Sequence, residues 1–134
     1  MNELKAKMGS ATWRLYKETT VEVNGEPVAI VIRRAPGGIA AAVLDEARRA
    51  GDMGENGQPT DAMSALRLLA RAAATVIFEP DAVRPLFDRS NPEDLAVIMC
   101  APWLDDVRND VMKAFGSALV TLEKLKGNSE ATPT

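Results

Sequence analysis

The sequence predicts an α+β fold: an N-terminal β-hairpin packed on a mainly α-helical bundle with a long C-terminal helix. Three observations predict it. Apolar residues alternate on either side of Asn24-Gly25, alanine-rich stretches with helical spacing fill the middle, and Leu104, Val107, Val111, Phe115, Ala118, Leu122 and Leu125 recur at steps of three and four. The last pattern marks one face of a helix over 102–126, about seven turns long. The 134 residues read as an arm over 1–12, a single α+β domain over 13–127 and a flexible polar tail over 128–134.

The elements follow in order. Residues 1–10 are polar and form a short arm or fray. Residues 19–23 and 28–33 are the arms of the hairpin, because Asn-Gly suits a type I′ turn, in which both central residues need a positive φ. Pro27 cannot donate to a ladder, so its strand pairs on one side there or begins after it. Val28, Ile30 and Ile32 share one face, and Ala29 and Val31 share the other. Both faces are apolar, so a helix is expected on one side and a neighbouring molecule on the other. Pro36-Gly37-Gly38 breaks the strand, and 39–50 is a helix with Ile39, Val43 and Ala47 inward and Gly51 ending it. Residues 52–59 read as a mobile loop, the place to expect proteolytic nicking. Thr60 is placed to cap a helix over 61–77 whose buried stripe is Met63, Leu66, Ala70, Ala73 and Ile77. Pro80 and Pro85 bracket a short segment. Ser90 or Asn91 caps a helix that starts at Pro92, runs to about residue 101 and buries Leu95, Ile98 and Met99. Pro102 separates it from the last helix or kinks the two at their join.

Composition limits the chemistry. Sixteen basic residues stand against 19 acidic ones, for a net charge of −3, and the arginines are interleaved with acids. That balance argues against tracking a phosphate backbone, so no nucleic-acid partner is expected. No apolar run reaches membrane-span length, and the start lacks the apolar core of a signal peptide. The expectation is a cytoplasmic protein with no membrane partner. Histidine is absent, which removes the commonest general base and zinc ligand. The lone cysteine, Cys100, forms no intrachain disulfide, and its apolar neighbours read as the surroundings of a small buried hydrophobe rather than a nucleophile.

Other candidates have plainer explanations. Pro36-Gly37-Gly38 lacks the spacing of a phosphate-binding loop and reads as a strand-to-helix turn. Asp105, Asp106 and Asp110 have no further ligand at metal spacing and read as a solvated helix face near a positive helix end. No cofactor, metal site or catalytic residue is expected, and the chain does not read as an enzyme. Three residues remain as partner-binding candidates: Ala29 and Val31, on the second face of the hairpin, and Trp103, off the main stripe of the last helix. The same surfaces would serve a homo-oligomer.

The N-terminal arm, the hairpin VEVNGEPVAIVIRR, the alanine-rich helices and the acidic character together resemble the tail assembly chaperones of long-tailed bacteriophages and prophages. The resemblance is one of architecture and size over about 13–127, with no invariant motif. It implies a non-enzymatic protein that binds the tape-measure protein, keeps it soluble and recruits tail-tube subunits. An acidic secretion chaperone for a translocated effector, or a virion subunit such as a head–tail connector, would share these features; neighbouring genes discriminate among them. The resemblance also raises a programmed frameshift. Lys126-Gly127-Asn128 can be encoded AAG GGA AAC, a slippery run just after the final helix, and the nucleotide sequence decides it.

Overall fold

The computed structural model describes residues 3–81 and 83–116. Among them run α1 (Glu3–Gly9), β1 (Leu15–Val23), β2 (Glu26–Arg33), α2 (Gly37–Arg49), α3 (Ala62–Val76), β3 (Ile77–Phe78), α4 (Pro92–Met99) and α5, which is helical from residue 104 through 116. The fold is α+β, and the described residues hold five helices and an antiparallel sheet of order β1-β2-β3. Ala118, Leu122, Leu125 and the rest of the expected 102–126 helix lie outside the described residues, as do the 128–134 tail and the Lys126-Gly127-Asn128 site.

The hairpin forms as its turn residues dictate. Asn24 and Gly25 have φ of 52° and 84°, the left-handed pair that matches the strands' twist. Val23 stands opposite Glu26, and the register runs back to Leu15 opposite Arg33, with an irregularity between Leu15 and Lys17. The expected two-stranded sheet has a third strand: Val31 pairs with Phe78 and Ile32 with Ile77. α3 therefore stops at Val76, and Ile77, expected on its buried stripe, turns to extended backbone (φ −91°, ψ 126°) and joins the sheet.

One face of the sheet packs on the helices. Val21, Ile30, Ile32 and Ile77 share a core with Val43 of α2, Ala70 and Ala73 of α3, Ile98 of α4, and Val107, Val111 and Phe115 of α5. Small residues on α3 let its neighbours approach closely while still excluding water. Two polar links fasten the hairpin to α5: the Ala35 N–H donates to the Ala114 carbonyl at 3.2 Å, and Lys17 Nζ lies 3.3 Å from Asp110 Oδ2. The opposite face holds a second, smaller cluster. There the Trp13 ring meets Phe78 edge-on at 5.7 Å, the Arg33 guanidinium lies 5.5 Å from the Phe78 ring centre, and an Arg33 Nη donates to the Trp13 carbonyl at 2.9 Å.

The helix ends follow local chemistry, with some differences from expectation. Gly51, at φ 84°, turns the chain out of α2. The cap of α3 is Asp61 rather than Thr60: Asp61 Oδ1 accepts the Ser64 N–H at 2.7 Å. The Thr60 hydroxyl instead lies 3.0 Å from the Gly51 carbonyl and 2.9 Å from the Ser64 hydroxyl. These contacts turn Ser64 inward, so Met63, expected in the core, is exposed. Asn91 caps α4 through the Glu93 N–H at 2.9 Å, with Pro92 at the first helical position. Cys100, expected buried, is exposed. It lies about 200° round from the inward-facing Ile98, and the helix ends there.

The 52–59 segment is tied down rather than loose. Met53 and Pro59 form a bridge, the Gly54 N–H donates to the Gln58 carbonyl at 2.9 Å, and Met53 is buried. Asp52 is only 1% exposed and pairs with both Arg67 and Arg71 of α3, the latter at 3.4 Å. The arm residues in α1 form a short helix that buries none of its residues. No helix among the described residues is long and apolar enough to cross a membrane.

Candidate partner-binding groove

β2 is a central strand for only part of its length. It pairs with β1 throughout, but β3 covers it only at Val31 and Ile32. Beyond Phe78 the chain turns away at Glu79-Pro80 and comes back at Pro85, which bridges Phe78 on its outer side. The Leu86 N–H then donates to the Ile77 carbonyl at 2.9 Å. Among the described residues, the edge of β2 from Glu26 to Ile30 has no strand partner.

The register shows which backbone groups that edge presents. A two-residue turn closes on a hydrogen-bonded pair, here Val23 and Glu26, and in an antiparallel ladder the pairs then alternate. Pro27 and Ala29 consequently turn their backbone polar groups away from β1, toward the open edge. At Pro27 that costs no ladder bond, because the ring removes the N–H that would have pointed outward. The Ala29 N–H and carbonyl remain as a donor and acceptor facing the edge.

Beside this edge lies a groove of about 450 Å³ lined by Val28, Ala29, Ile30, Glu79, Pro80, Asp81 and Leu86. Its floor is apolar. Val28 is 39% exposed, because β3 stops short of it, and Leu86, on the outer side of β3, is 42% exposed. A second hollow continues over the sheet face past Glu18, Thr20, Val31 and Pro80. Among the described residues, Glu79 and Asp81 on the rim, Glu18 on the face and Glu26 at the strand start enter no ion pair. Some acids elsewhere are engaged: Asp52 is neutralised by arginines, and Asp88 and Asp94 accept backbone N–H groups.

The three sequence candidates separate. Ala29 is exposed and lines the groove. Val31, expected to face outward, shares Ala29's face but is 4% exposed, because β3 sets Phe78 directly opposite it. Trp103 does not line the groove. It is half-buried, stacked on Phe87 at 6.0 Å and 18°, and packs against the core. Sequence reasoning missed Glu79, Pro80, Asp81 and Leu86. They reach the strand edge only because the short β3 pairs with β2, and Val76-Ile77-Phe78 at the end of a helical pattern is too short to signal a strand.

Among the described residues, no three histidine, cysteine, aspartate or glutamate side chains group so as to hold a metal ion. Asp110, one of the helix-face acids, is engaged by Lys17. Compared with protein-family models, curated proteins and solved structures, the chain matches none.

Proposed function

We propose that the protein is a non-enzymatic tail assembly chaperone that binds the tape-measure protein in the host cytoplasm and helps to recruit tail-tube subunits. The observation that carries the reading is the half-covered edge of β2 beside an apolar groove. An unpaired strand edge offers main-chain hydrogen bonds, and a neighbouring apolar surface offers burial. Together they suit an extended, unfolded stretch of another chain. The client's identity comes from the resemblance in element order: a hairpin followed by alanine-rich helices in a small acidic chain. Such a site holds and releases; it need not alter a covalent bond.

Co-expression with the tape-measure and tail-tube proteins of the same locus tests the proposal. The expected result is a tape-measure protein that stays soluble and co-purifies only when this chain is present. A tape-measure protein equally soluble alone, with no complex formed, overturns it. An effector gene beside this one, and capture of that effector, would point instead to a secretion chaperone.

A further inference from the structure

We infer that the β2-edge groove selects an extended segment with apolar side chains at alternate positions and lysine or arginine at the positions between, which it takes up as an added strand. The inference rests on the chaperone reading and names the chemistry of the segment held.

Three features of the groove carry it. The first is the edge: the Ala29 N–H and carbonyl face it, and Glu26 to Ile30 span about 13 Å of strand at roughly 3.3 Å per residue. The second is alternation. An added strand places successive side chains on opposite faces, so one set meets Val28 and Leu86 and the other meets the rim. The third is charge. Glu79 and Asp81 line the groove, Glu18 lines the adjoining hollow, Glu26 starts the strand, and none of the four has a cationic partner among the described residues. Arg84 shares the outer hollow with Glu79 and Asp81 but makes no ion pair with either.

The same charges argue against a second copy of this chain as the occupant. Two β2 edges laid together would bring Glu26, Glu79 and Asp81 of each copy near their counterparts, and like charges across an interface are costly. Pro27 also stops the edge-to-edge ladder one residue from its start. A basic-apolar strand brings no like charge, and it meets one Pro27 rather than two.

The test uses the whole chain and a fluorescent peptide of alternating lysine and valine, read by anisotropy. Controls are the glutamate–valine peptide and a lysine–valine peptide N-methylated on alternate amides. The expected result is binding of the lysine–valine peptide alone, weakening as salt is raised. The double substitution Glu79→Lys, Asp81→Lys should weaken it about tenfold or more. Both positions are exposed, so the thermal transition should hold; if it falls, Glu79→Gln with Asp81→Asn serves instead. Ala29→Pro, which removes the outward N–H, should also weaken binding. Failure of the lysine–valine peptide to bind, equal binding of the glutamate peptide, indifference to N-methylation, or dimerisation through the same edge would each overturn the inference. Client co-purification that survives the charge reversal would remove this inference and leave the chaperone reading standing; absence of any client complex would remove that reading.

Discussion

Val31 of β2 stands directly opposite Phe78 of β3, and this pair closes the sheet face turned away from the helical core. Each is less than 5% exposed, and Trp13 and Arg33 cover Phe78. Phe78→Ala should destabilise the fold by about 3–5 kcal/mol. Val31→Lys should also be destabilising, because it forces a long charged side chain into a site closed by Phe78, with only Glu18 on the neighbouring strand to meet it. Ala29→Lys, two residues away on the exposed stretch of the same face, should change stability by about 0.5 kcal/mol or less. Urea denaturation of the three variants checks the contrast. Equal, small effects at Val31 and Ala29 would mean that β3 does not cover β2.

Asp52 joins the 52–59 segment to α3. Its carboxylate is buried against Arg67 and Arg71, and the Arg71 side chain is itself only 11% exposed. Asp52→Ala strands the Arg71 charge and should cost about 3–5 kcal/mol, since removing one member of a buried pair leaves the other uncompensated. Replacing both, as Asp52→Leu with Arg71→Met, should recover much of that loss. Denaturation midpoints decide it: a double variant less stable than Asp52→Ala would show that the pair itself, not the stranded charge, carries the stability.

Two glycines should respond with opposite sign. Gly51 has φ 84° and no atom where a Cβ would go, so Gly51→Ala should destabilise through backbone strain alone, by about 1–2 kcal/mol. Gly38 lies in the first turn of α2 with open space around it and no positive φ. Gly38→Ala should stabilise by about 0.4–1 kcal/mol, because it narrows the unfolded ensemble. Thermal melts of the two variants that moved in the same direction would contradict the backbone assignment.

The Asp61 cap predicts a pH dependence. The Ser64 backbone N–H, chiefly, then the Ser64 side chain, holds the Asp61 carboxyl below its ordinary value of 3.8, with a lesser contribution from the nearby Arg67. A carboxyl lowered on folding contributes its full stability above the unfolded value and loses it as pH falls through the folded one. Asp61→Ala should therefore lower stability at neutral pH and flatten the acid limb of the stability–pH curve. Asp61→Asn should keep the neutral-pH stability, since asparagine also caps, and lose the same acid dependence. Parallel acid limbs in wild type and Asp61→Asn would show that other carboxyls dominate the limb.

Local chemistry alone determined much of this protein. Asn24-Gly25 specified the hairpin turn, Gly51 the end of α2, Asn91-Pro92 the start of α4, and the spacing of Leu104, Val107, Val111 and Phe115 the inner face of α5. Each signal is complete within one turn or one helical face, where sterics, capping and periodicity act without help from the rest of the chain. Tertiary structure decided what depends on neighbours remote in sequence. Ile77 and Phe78 are strand only because β2 lies beside them, and their pairing buries Val31, ends the cover on β2 above Ala29 and brings Pro80 and Leu86 to the groove. Asp52 is buried because Arg67 and Arg71, a helix away, can neutralise it. Two residues of strand carry no periodicity, and a single aspartate carries no sign of its partners; pairing and burial are free energies shared between segments, so neither segment states them alone.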